Sequence, residues 1–375
     1  MSFALLRTVS FRNLADSQTD LRGKDIFLVG ENGQGKSNFL EALYYCSYAS
    51  SFRGSRDREL VRNGERDCSA AVSLDTSLYS NVGVAFKDGK KVITLDGKQL
   101  EDRKELLSVA PSIVFCHEDM EFIVGPPERR RWFFDQTRSL WDSLYLDDLR
   151  KYRHVLKIRN TLLKNLSMMN KVSLSESETI AMLDALDIQL AQYGLELSLK
   201  RQKTAEEFSI IFEPLYREIS GIAGIGIDYH PSWKEDNAQK ILDLLKAKHE
   251  LDISFGVSLS GPHRDRYLFT RNGKDFSGNA STGQRRLLAL LLRIAQARVF
   301  SKKTGKNPVL LLDDVLLELD KNKRQKFLSI MPEYEQAFFT FLPGESYNSF
   351  QKSDTITYNV SSGRLTKNIS NGDFT

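Results

Sequence analysis

The feature that most constrains this chain is the glycine-rich octapeptide GENGQGKS, which matches the pattern GxxxxGK[ST]. Residues 24–30 before it predict a buried strand, and residues 36–48 after it predict a helix. Glycines let backbone N–H groups turn towards phosphates, and the helix N-terminus adds partial positive charge. In this arrangement Lys36 reaches the β- and γ-phosphates and Ser37 ligates Mg²⁺. The pattern predicts a nucleotide site built from Gly30, Glu31, Asn32, Gly33, Gln34, Gly35, Lys36 and Ser37.

A second segment supplies the acids that such a site needs. Residues 308–314, PVLLLDD, predict an apolar strand that ends in two carboxylates. Asp313 is expected to hold Mg²⁺, directly or through water, and Asp314 to orient or activate the attacking water. These two acids complete the predicted ATP–Mg²⁺ site.

A third segment, ASTGQRR at residues 280–286, lies one predicted helix upstream of the acidic strand. A hydroxyl residue and a glycine at the start of a helix form another anion-binding N-terminus. The chain already has one phosphate loop, so we expect Ser281 and Gly283 to complete the site of a partner subunit. The alternative is a simple helix cap.

The rest of the chain of 375 residues predicts an α/β fold. Alternating segments at residues 70–74, 82–86 and 92–95 predict an antiparallel flank, and residues 112–116 another strand. Helical periodicity dominates residues 128–221. Residues 224–229, 255–259, 309–312 and 337–341 predict strands, and residues 285–300 predict an apolar helix. We predict three parts: an ATPase head at residues 1–125 and 223–375, interrupted by a helical arm subdomain at residues 126–222.

Composition excludes some classes of protein. No apolar run approaches the roughly 20 residues of a membrane-spanning helix, and the first residues do not resemble a secretory signal. Cys46, Cys68 and Cys116 form no CxxC pair and are expected to be reduced core residues. We expect a cytoplasmic protein. The net charge of +4 is too small to indicate a nucleic-acid partner by itself.

Taken in order, these segments resemble the ABC-type ATPase heads of chromosome and repair proteins, and most closely the RecF family. The resemblance covers nearly the whole chain. It depends on the following motifs: LR and FRNL at residues 6–14, GENGQGKSN with LEA at residues 30–42, SFR at residues 51–53, Glu118-Asp119, Gly125 with Arg129-Arg130, SGPHRD at residues 260–265, the Ser281 turn, and DDV with ELD at residues 313–320. The GPHRD and DDV…ELD segments are the most specific.

The resemblance implies a head that dimerises when ATP is bound between the P-loop of one subunit and the signature serine of the other. Lys36, Ser37, Asp313 and Asp314 then act within one subunit, Ser281 and Gly283 act across the interface, and Asp320 lies in the loop that links the two sites. It also implies slow hydrolysis, binding to DNA at junctions between duplex and single strand, and cooperation with RecO and RecR.

Three positions depart from the family pattern. Arg266 replaces an Asp, Leu317 replaces a Ser, and residues 340–342 (TFL) lack a run of threonines. We expect the departures at Arg266 and Leu317 to affect the efficiency of hydrolysis more than the binding of ATP. No residue that senses the γ-phosphate can be assigned from sequence.

Basic residues cluster at four places: Arg53 to Arg62, Arg129 to Arg131, Lys151 to Arg159, and Lys200 to Lys203. Each could neutralise DNA phosphates, but nearby acids also fit an ordinary solvated helix face. The DNA expectation therefore comes from the resemblance. Two other functions use the same motifs: the ATPase subunit of a membrane transporter, and a scaffold for mediator proteins that is stabilised by ATP.

Overall fold

The computed structural model describes residues 2–75, 78–168, 176–315, 321–345, 347 and 351–368. They form two compact units, one from Met1–Asp119 with Leu290–Thr375 and the other from Met120–Ala289. The strands are β1 (Ser2–Val9), β2 (Ser17–Asp20), β3 (Asp25–Val29), β4 (Cys68–Asp75), β5 (Asn81–Lys87), β6 (Lys90–Leu95), β7 (Lys98–Gln99), β8 (Ser112–Phe115), β9 (Ile225–His230), β10 (Arg266–Arg271), β11 (Lys274–Asp275), β12 (Val309–Leu312), β13 (Gln336–Phe341), β14 (Thr355–Ser361) and β15 (Arg364–Lys367). The helices are α1 (Lys36–Tyr48), α2 (Glu121–Val124), α3 (Pro127–Ser139), α4 (Ser143–Met168), α5 (Glu176–Ser220), α6 (Ala238–Ala247), α7 (His249–Phe255), α8 (Thr282–Thr304) and α9 (Lys321–Ser329).

The first unit contains a mainly parallel sheet in the order β15-β14-β3-β13-β12-β8. Strands β3, β8, β12 and β13 are buried along their whole length. Continuous apolar runs such as VLLL fit this position because both faces of a parallel sheet are covered. The strands predicted at residues 24–30, 112–116, 309–312 and 337–341 are therefore confirmed.

A second, antiparallel sheet in the same unit has the order β2-β1-β4-β5-β6-β7. In β4, buried and half-buried side chains alternate, as expected for a strand with one face on the core. Asp88-Gly89 and Asp96-Gly97 all have positive φ, which is the backbone that two-residue hairpin turns require. The predicted antiparallel flank is confirmed.

The second unit is mainly helical. Helices α4 and α5 pack side by side, and α5 continues for 45 residues with Pro214 inside it. Strands β9, β10 and β11 form a separate three-stranded sheet. The sequence also predicts that the polar segment at residues 170–177 divides the helical region into two arms, and most of this segment lies outside the described residues.

The strand predicted at residues 255–259 is wrong. Helix α7 ends at Phe255, and Gly256 follows it in the left-handed conformation with φ 66°. The next residues form a loop because the backbone N–H and the hydroxyl of Ser258 both donate to Asn160 Oδ1, at 2.8 and 2.7 Å. These side-chain bonds replace the strand pairing that an apolar alternation would favour.

The predicted three-part division stays a prediction. In the structure, residues 223–289 group with the helices of the second unit. None of the helices in the described part of the chain is both long and apolar enough to span a bilayer. All three cysteines are buried and free of disulfides, as predicted.

Candidate nucleotide site

The predicted catalytic segments of the first unit meet at one edge of the parallel sheet. Strands β3, β13 and β12 are parallel neighbours, and the octapeptide, residues 342–345 and the Asp313-Asp314 pair follow them directly. The carboxyl ends of parallel strands share an edge, where ligands bind in open α/β sheets. The fold therefore brings together segments that are almost 300 residues apart.

The octapeptide forms a tight loop in which two of the glycines leave little room for a side chain. A Cβ at Gly30 would overlap the carbonyl oxygen of Val360 on the neighbouring strand. Gly35 has φ 116° and would place a Cβ 3.2 Å from Leu14 Cδ2. No side chain caps α1, which begins directly after Gly35, so the N–H groups of its first turn are available to an anion.

Lys36 is buried within this loop. Its Nζ donates to the carbonyl oxygens of Gly30 at 2.7 Å and Glu31 at 3.2 Å. Glu31, Asn32 and Gly33 are exposed on the rim. The loop thus has the shape and charge that a nucleotide phosphate chain needs.

Two distant segments hold the loop from behind. Asn13 Nδ2 donates to the carbonyl oxygen of Gly33 at 2.9 Å. In the turn between β14 and β15, Gly363 N–H donates to the carbonyl oxygen of Gln34 at 2.9 Å, and Ser362 N–H donates to Gln34 Oε1 at 2.6 Å. Gln34 therefore braces the loop through its two oxygens, and its contact with nucleotide stays a prediction.

Ser37 and Asp313 are in direct contact, as a shared metal site requires. Ser37 Oγ donates to Asp313 Oδ1 at 2.7 Å. Burial raises the pKa of Asp313 to about 6, and the neighbouring Asp314 adds to the shift. A hydroxyl and one carboxylate, with nucleotide phosphates, fit the usual Mg²⁺ ligand set. Within the described ranges, no group of three or more His, Cys, Asp or Glu side chains could hold a metal ion without such phosphates.

Asp314 is fixed by a residue to which the sequence assigned no role. Its backbone N–H donates to Thr340 Oγ1 at 2.7 Å, and the hydroxyl donates back to Asp314 Oδ1 at 2.8 Å. Asp314 has φ 53°, an uncommon conformation for a residue other than glycine. Buried Thr340 therefore sets both the backbone and the carboxylate of the predicted catalytic acid.

Two further charged residues adjoin this site. Arg53 Nη2 lies 3.7 Å from Asp313 Oδ2, and its Nη1 donates to Asn38 Oδ1 at 2.8 Å. Burial raises the pKa of Glu345, and the charges of Asp314 and Lys36 act on the same carboxylate. Arg53 was noted in sequence only as part of the SFR motif and a basic cluster, and Glu345 gave no signal.

The predicted signature turn lies in the second unit, at the exposed start of α8. Ser281 N–H donates to Gln284 Oε1 at 2.8 Å, and Gln284 N–H donates to Ser281 Oγ at 3.3 Å, which is a reciprocal helix cap. Gly283 is exposed, with open space where a Cβ would lie. The role of both residues across a dimer stays a prediction.

Of the remaining motif positions, some lie within the described residues and others do not. Arg266 is exposed at the start of β10, whereas the preceding Asp265 is fully buried. Leu317, Glu318, Leu319 and Asp320 lie outside the described residues.

Several arginines of the basic clusters are engaged inside the protein. Arg130 and Arg131 donate to the carbonyl oxygens of Tyr267 at 2.9 Å and Asp265 at 2.7 Å. Arg159 and Arg201 are buried and paired with aspartates. A count of basic residues therefore overstates the charge that is available to DNA.

The fold and the site geometry are those of an ABC-type P-loop ATPase head. The family model described as the RecF/RecN/SMC N terminal domain matches residues 4–362. The Smc head of Pyrococcus furiosus, at 17% identity and a TM-score of 0.52, shares this fold.

Relatives with higher sequence identity show which branch of this broad family the chain resembles. The DNA replication and repair protein RecF of Treponema pallidum is 41% identical over 96% of this chain and 99% of its own length. RecF of Clostridium perfringens is 32% identical, with 96% and 98% coverage. A solved structure described as the recombination mediator protein RecF with ATP in the RecFOR pathway has 30% identity and a TM-score of 0.85, over 98% of this chain and 97% of that one. The chain belongs to the RecF family.

Proposed function

We propose that this protein is an ATP-dependent DNA-binding protein of bacterial replication and recombinational repair, active in the cytoplasm. ATP closes a homodimer on DNA near junctions between duplex and single strand, and slow Mg²⁺-dependent hydrolysis reopens it. RecO and RecR are the expected partners. The observation that carries the proposal is the contact between Ser37 and Asp313 beside an uncapped P-loop helix.

Each residue of the nucleotide site in the first unit has a defined part in this proposed cycle. Bound ATP–Mg²⁺ supplies the reactive phosphoanhydride and the cation that neutralises it. The loop N–H groups and Lys36 bind phosphate, and Ser37 with Asp313 holds the cation. Asp314, fixed by Thr340, orients the attacking water and accepts its proton. Arg53 supplies further positive charge beside Asp313.

Dimer closure follows if ATP binds the closed dimer better than the separate subunits, because a ligand shifts an equilibrium only by its difference in affinity. Ser281 and the N–H groups at the start of α8 are the groups proposed to contact the partner's nucleotide.

The Lys36→Ala variant is expected to lose ATP binding at working concentrations. It removes a charge-assisted contact worth roughly 1.5–3 kcal/mol, a factor of about 10 to 150 in affinity. Isothermal titration with ATP and Mg²⁺ measures the loss. If the variant binds ATP with the parent's affinity, the octapeptide is not the phosphate-binding loop.

The Ser281→Arg variant is expected to bind ATP as a monomer but not to dimerise. Its long cationic side chain occupies the exposed helix start that is proposed to face the partner's nucleotide. Light scattering with ATP and with ADP measures the change in mass. An ATP-dependent dimer of the variant, with the parent's stability, rules out the role across the interface.

The overall proposal is tested by binding to a gapped duplex with ATP, with ADP and without nucleotide, at two salt concentrations. We expect ATP to strengthen binding and salt to weaken it, because phosphate contacts release counterions. Lys36→Ala should lose the ATP effect. If the protein binds no DNA under any of these conditions, the proposal is wrong.

A further inference from the structure

A cavity of about 360 Å³ in the second unit lies away from any residue used above for nucleotide chemistry. It is formed by α3, α4, α5 and the turn at Pro262–Arg264, and we call it the α3–α4 pocket. The arginines Arg129, Arg131, Arg153 and Arg201 line it, against the acids Glu128 and Asp135. Arg201 also donates to Asp265 behind the pocket, so these four guanidinium groups exceed their carboxylates by one positive charge.

The acids of the pocket do not neutralise all of its arginines. Asp135 is buried and already accepts bonds from Arg201 Nε and Nη2, at 2.9 and 2.8 Å. Arg153 approaches the same carboxylate only at 3.5 Å, and 59% of its side chain is exposed. Glu128 lies on the rim with 72% of its side chain exposed, 3.7 Å from Arg131.

Arg129 has no carboxylate partner among the described residues. Its guanidinium lies over two aromatic rings, 5.9 Å from the centroid of Phe122 and 5.7 Å from that of Trp132. Guanidinium groups are charged at every physiological pH. Arg129 and Arg153 are therefore the two permanent charges that the pocket offers to an external anion.

Trp132 gives the pocket an aromatic surface. Its indole stacks on Phe122 with the ring centroids 5.9 Å apart and an interplanar angle of 20°, which fixes the ring orientation. Even so, 38% of this large side chain is exposed. Proteins that bind single-stranded nucleic acids stack the bases on exposed aromatic rings of this kind, in grooves lined by positive charge.

The base of the pocket is neutral. His263 Nε2–H donates to the carbonyl oxygen of Ser258 at 2.9 Å, so Nδ1 is left to accept the Tyr152 hydroxyl proton at 2.8 Å. Burial lowers the pKa of His263 to about 4, which agrees with an uncharged ring. The attraction for anions therefore comes from the arginines and does not depend on pH near neutrality.

We propose that the α3–α4 pocket binds one unpaired nucleotide of single-stranded DNA, with its base stacked on Trp132 and its phosphate neutralised by Arg129 and Arg153. The volume is at the lower end of the range for small-ligand sites, which suits one nucleotide. Stacking and phosphate contacts carry no base code, so binding is independent of sequence. This inference rests on the proposed DNA-binding function and gives it a location.

The test is titration of the full chain, with saturating ATP and Mg²⁺, against a labelled 12-nucleotide single strand and a blunt duplex of the same length. Fluorescence anisotropy gives both affinities. We expect Trp132→Leu to weaken single-strand binding by about 5- to 150-fold, the range for loss of one stacked base. Duplex binding should change less than twofold, and Trp132→Phe should restore most of the single-strand affinity.

Charge is tested by a matched pair on α4. Arg153→Gln should lower the salt dependence of single-strand binding by about 0.7 in the slope of log K against log salt. Arg150→Gln removes the same charge three residues away, where Arg150 pairs with Asp147 outside the pocket, and should leave the slope unchanged. Unfolding curves for each variant identify any general loss of structure.

The outcomes separate this inference from the function on which it rests. If the variants bind single strands as the parent does while the parent shows ATP-enhanced binding to gapped DNA, the pocket assignment is wrong and the function stands. Equal binding of deoxythymidine monophosphate and the 12-nucleotide strand would show a free-nucleotide site and also overturn it. Absence of all DNA binding contradicts the function itself.

Discussion

The Asp314→Asn variant is expected to bind ATP with the parent's affinity and to hydrolyse it about 100- to 10,000-fold more slowly. The amide keeps the size of the side chain and can still accept the Thr340 hydroxyl bond, but it cannot take a proton from water. Removing a general base costs a factor of this order. Single-turnover hydrolysis of radiolabelled ATP separates this step from product release. A rate within tenfold of the parent would exclude Asp314 as the base.

Thr340 provides the companion variants. Its hydroxyl touches no nucleotide group in our assignment and acts through Asp314, to which it is bonded twice. Thr340→Val keeps the shape and should lower kcat about 10- to 150-fold, since loss of a bond to a charged group costs about 1.5–3 kcal/mol. KM should change little, and Thr340→Ser should restore kcat. If Thr340→Val raises KM and leaves kcat unchanged, Thr340 does not position the acid.

The Arg201→Leu variant is expected to lower the free energy of unfolding of the second unit by about 3–5 kcal/mol. Arg201 is buried and donates to Asp135 and to Asp265, the latter from Nη1 at 2.9 Å. Removing the cation leaves two carboxylates in an interior where unpaired charge is costly. Urea unfolding measures the change. The three tryptophans, Trp132, Trp141 and Trp233, all lie in this unit, so their fluorescence follows its unfolding.

The neighbouring residue supplies the control. Lys200 Nζ pairs with Asp148 Oδ2 at 2.6 Å, but 30% of the lysine side chain is exposed to solvent. Lys200→Met should therefore change stability by only about 0–1 kcal/mol. If the two substitutions have equal effects, burial of the Arg201 network is not what stabilises this unit.

The sequence predicted those parts of the fold whose signals are local. The helix at residues 36–48 and the strand at residues 309–312 occur with the predicted bounds, because glycines and apolar runs mark their ends. The helix predicted at residues 285–300 also occurs, and its apolar run at residues 287–292 is buried. Strands β1, β14 and β15 were missed. β1 and β14 pair with the distant strands β4 and β3, and β15 follows from β14 as a hairpin, so local propensity is only a weak guide to them.

In the candidate site, too, the sequence predicted the residues in local motifs and missed the roles that depend on distant contacts. The octapeptide and the two acids were found because each motif is contiguous in sequence. The sequence assigned no catalytic role to Thr340 or Arg53, since their roles depend on contacts across 26 and roughly 260 residues. A search for hydroxyl residues opposite the strand that carries the acids could have found Thr340.

The position of β3 in the sheet also determines when the nucleotide site can form during synthesis. The strand that leads into the octapeptide pairs with β13 and β14, whose residues lie more than 300 positions later, as in the pairs Phe338 with Ile26 and Tyr358 with Leu28. At roughly 5–20 residues per second, the ribosome adds those partners tens of seconds after the octapeptide emerges. The turn that bonds Gln34 comes later still. A nascent chain therefore carries its ATP motif through roughly 300 further residues of translation before it can assemble the ATP site, and nucleotide can stabilise the head only after β13 and β14 have been made.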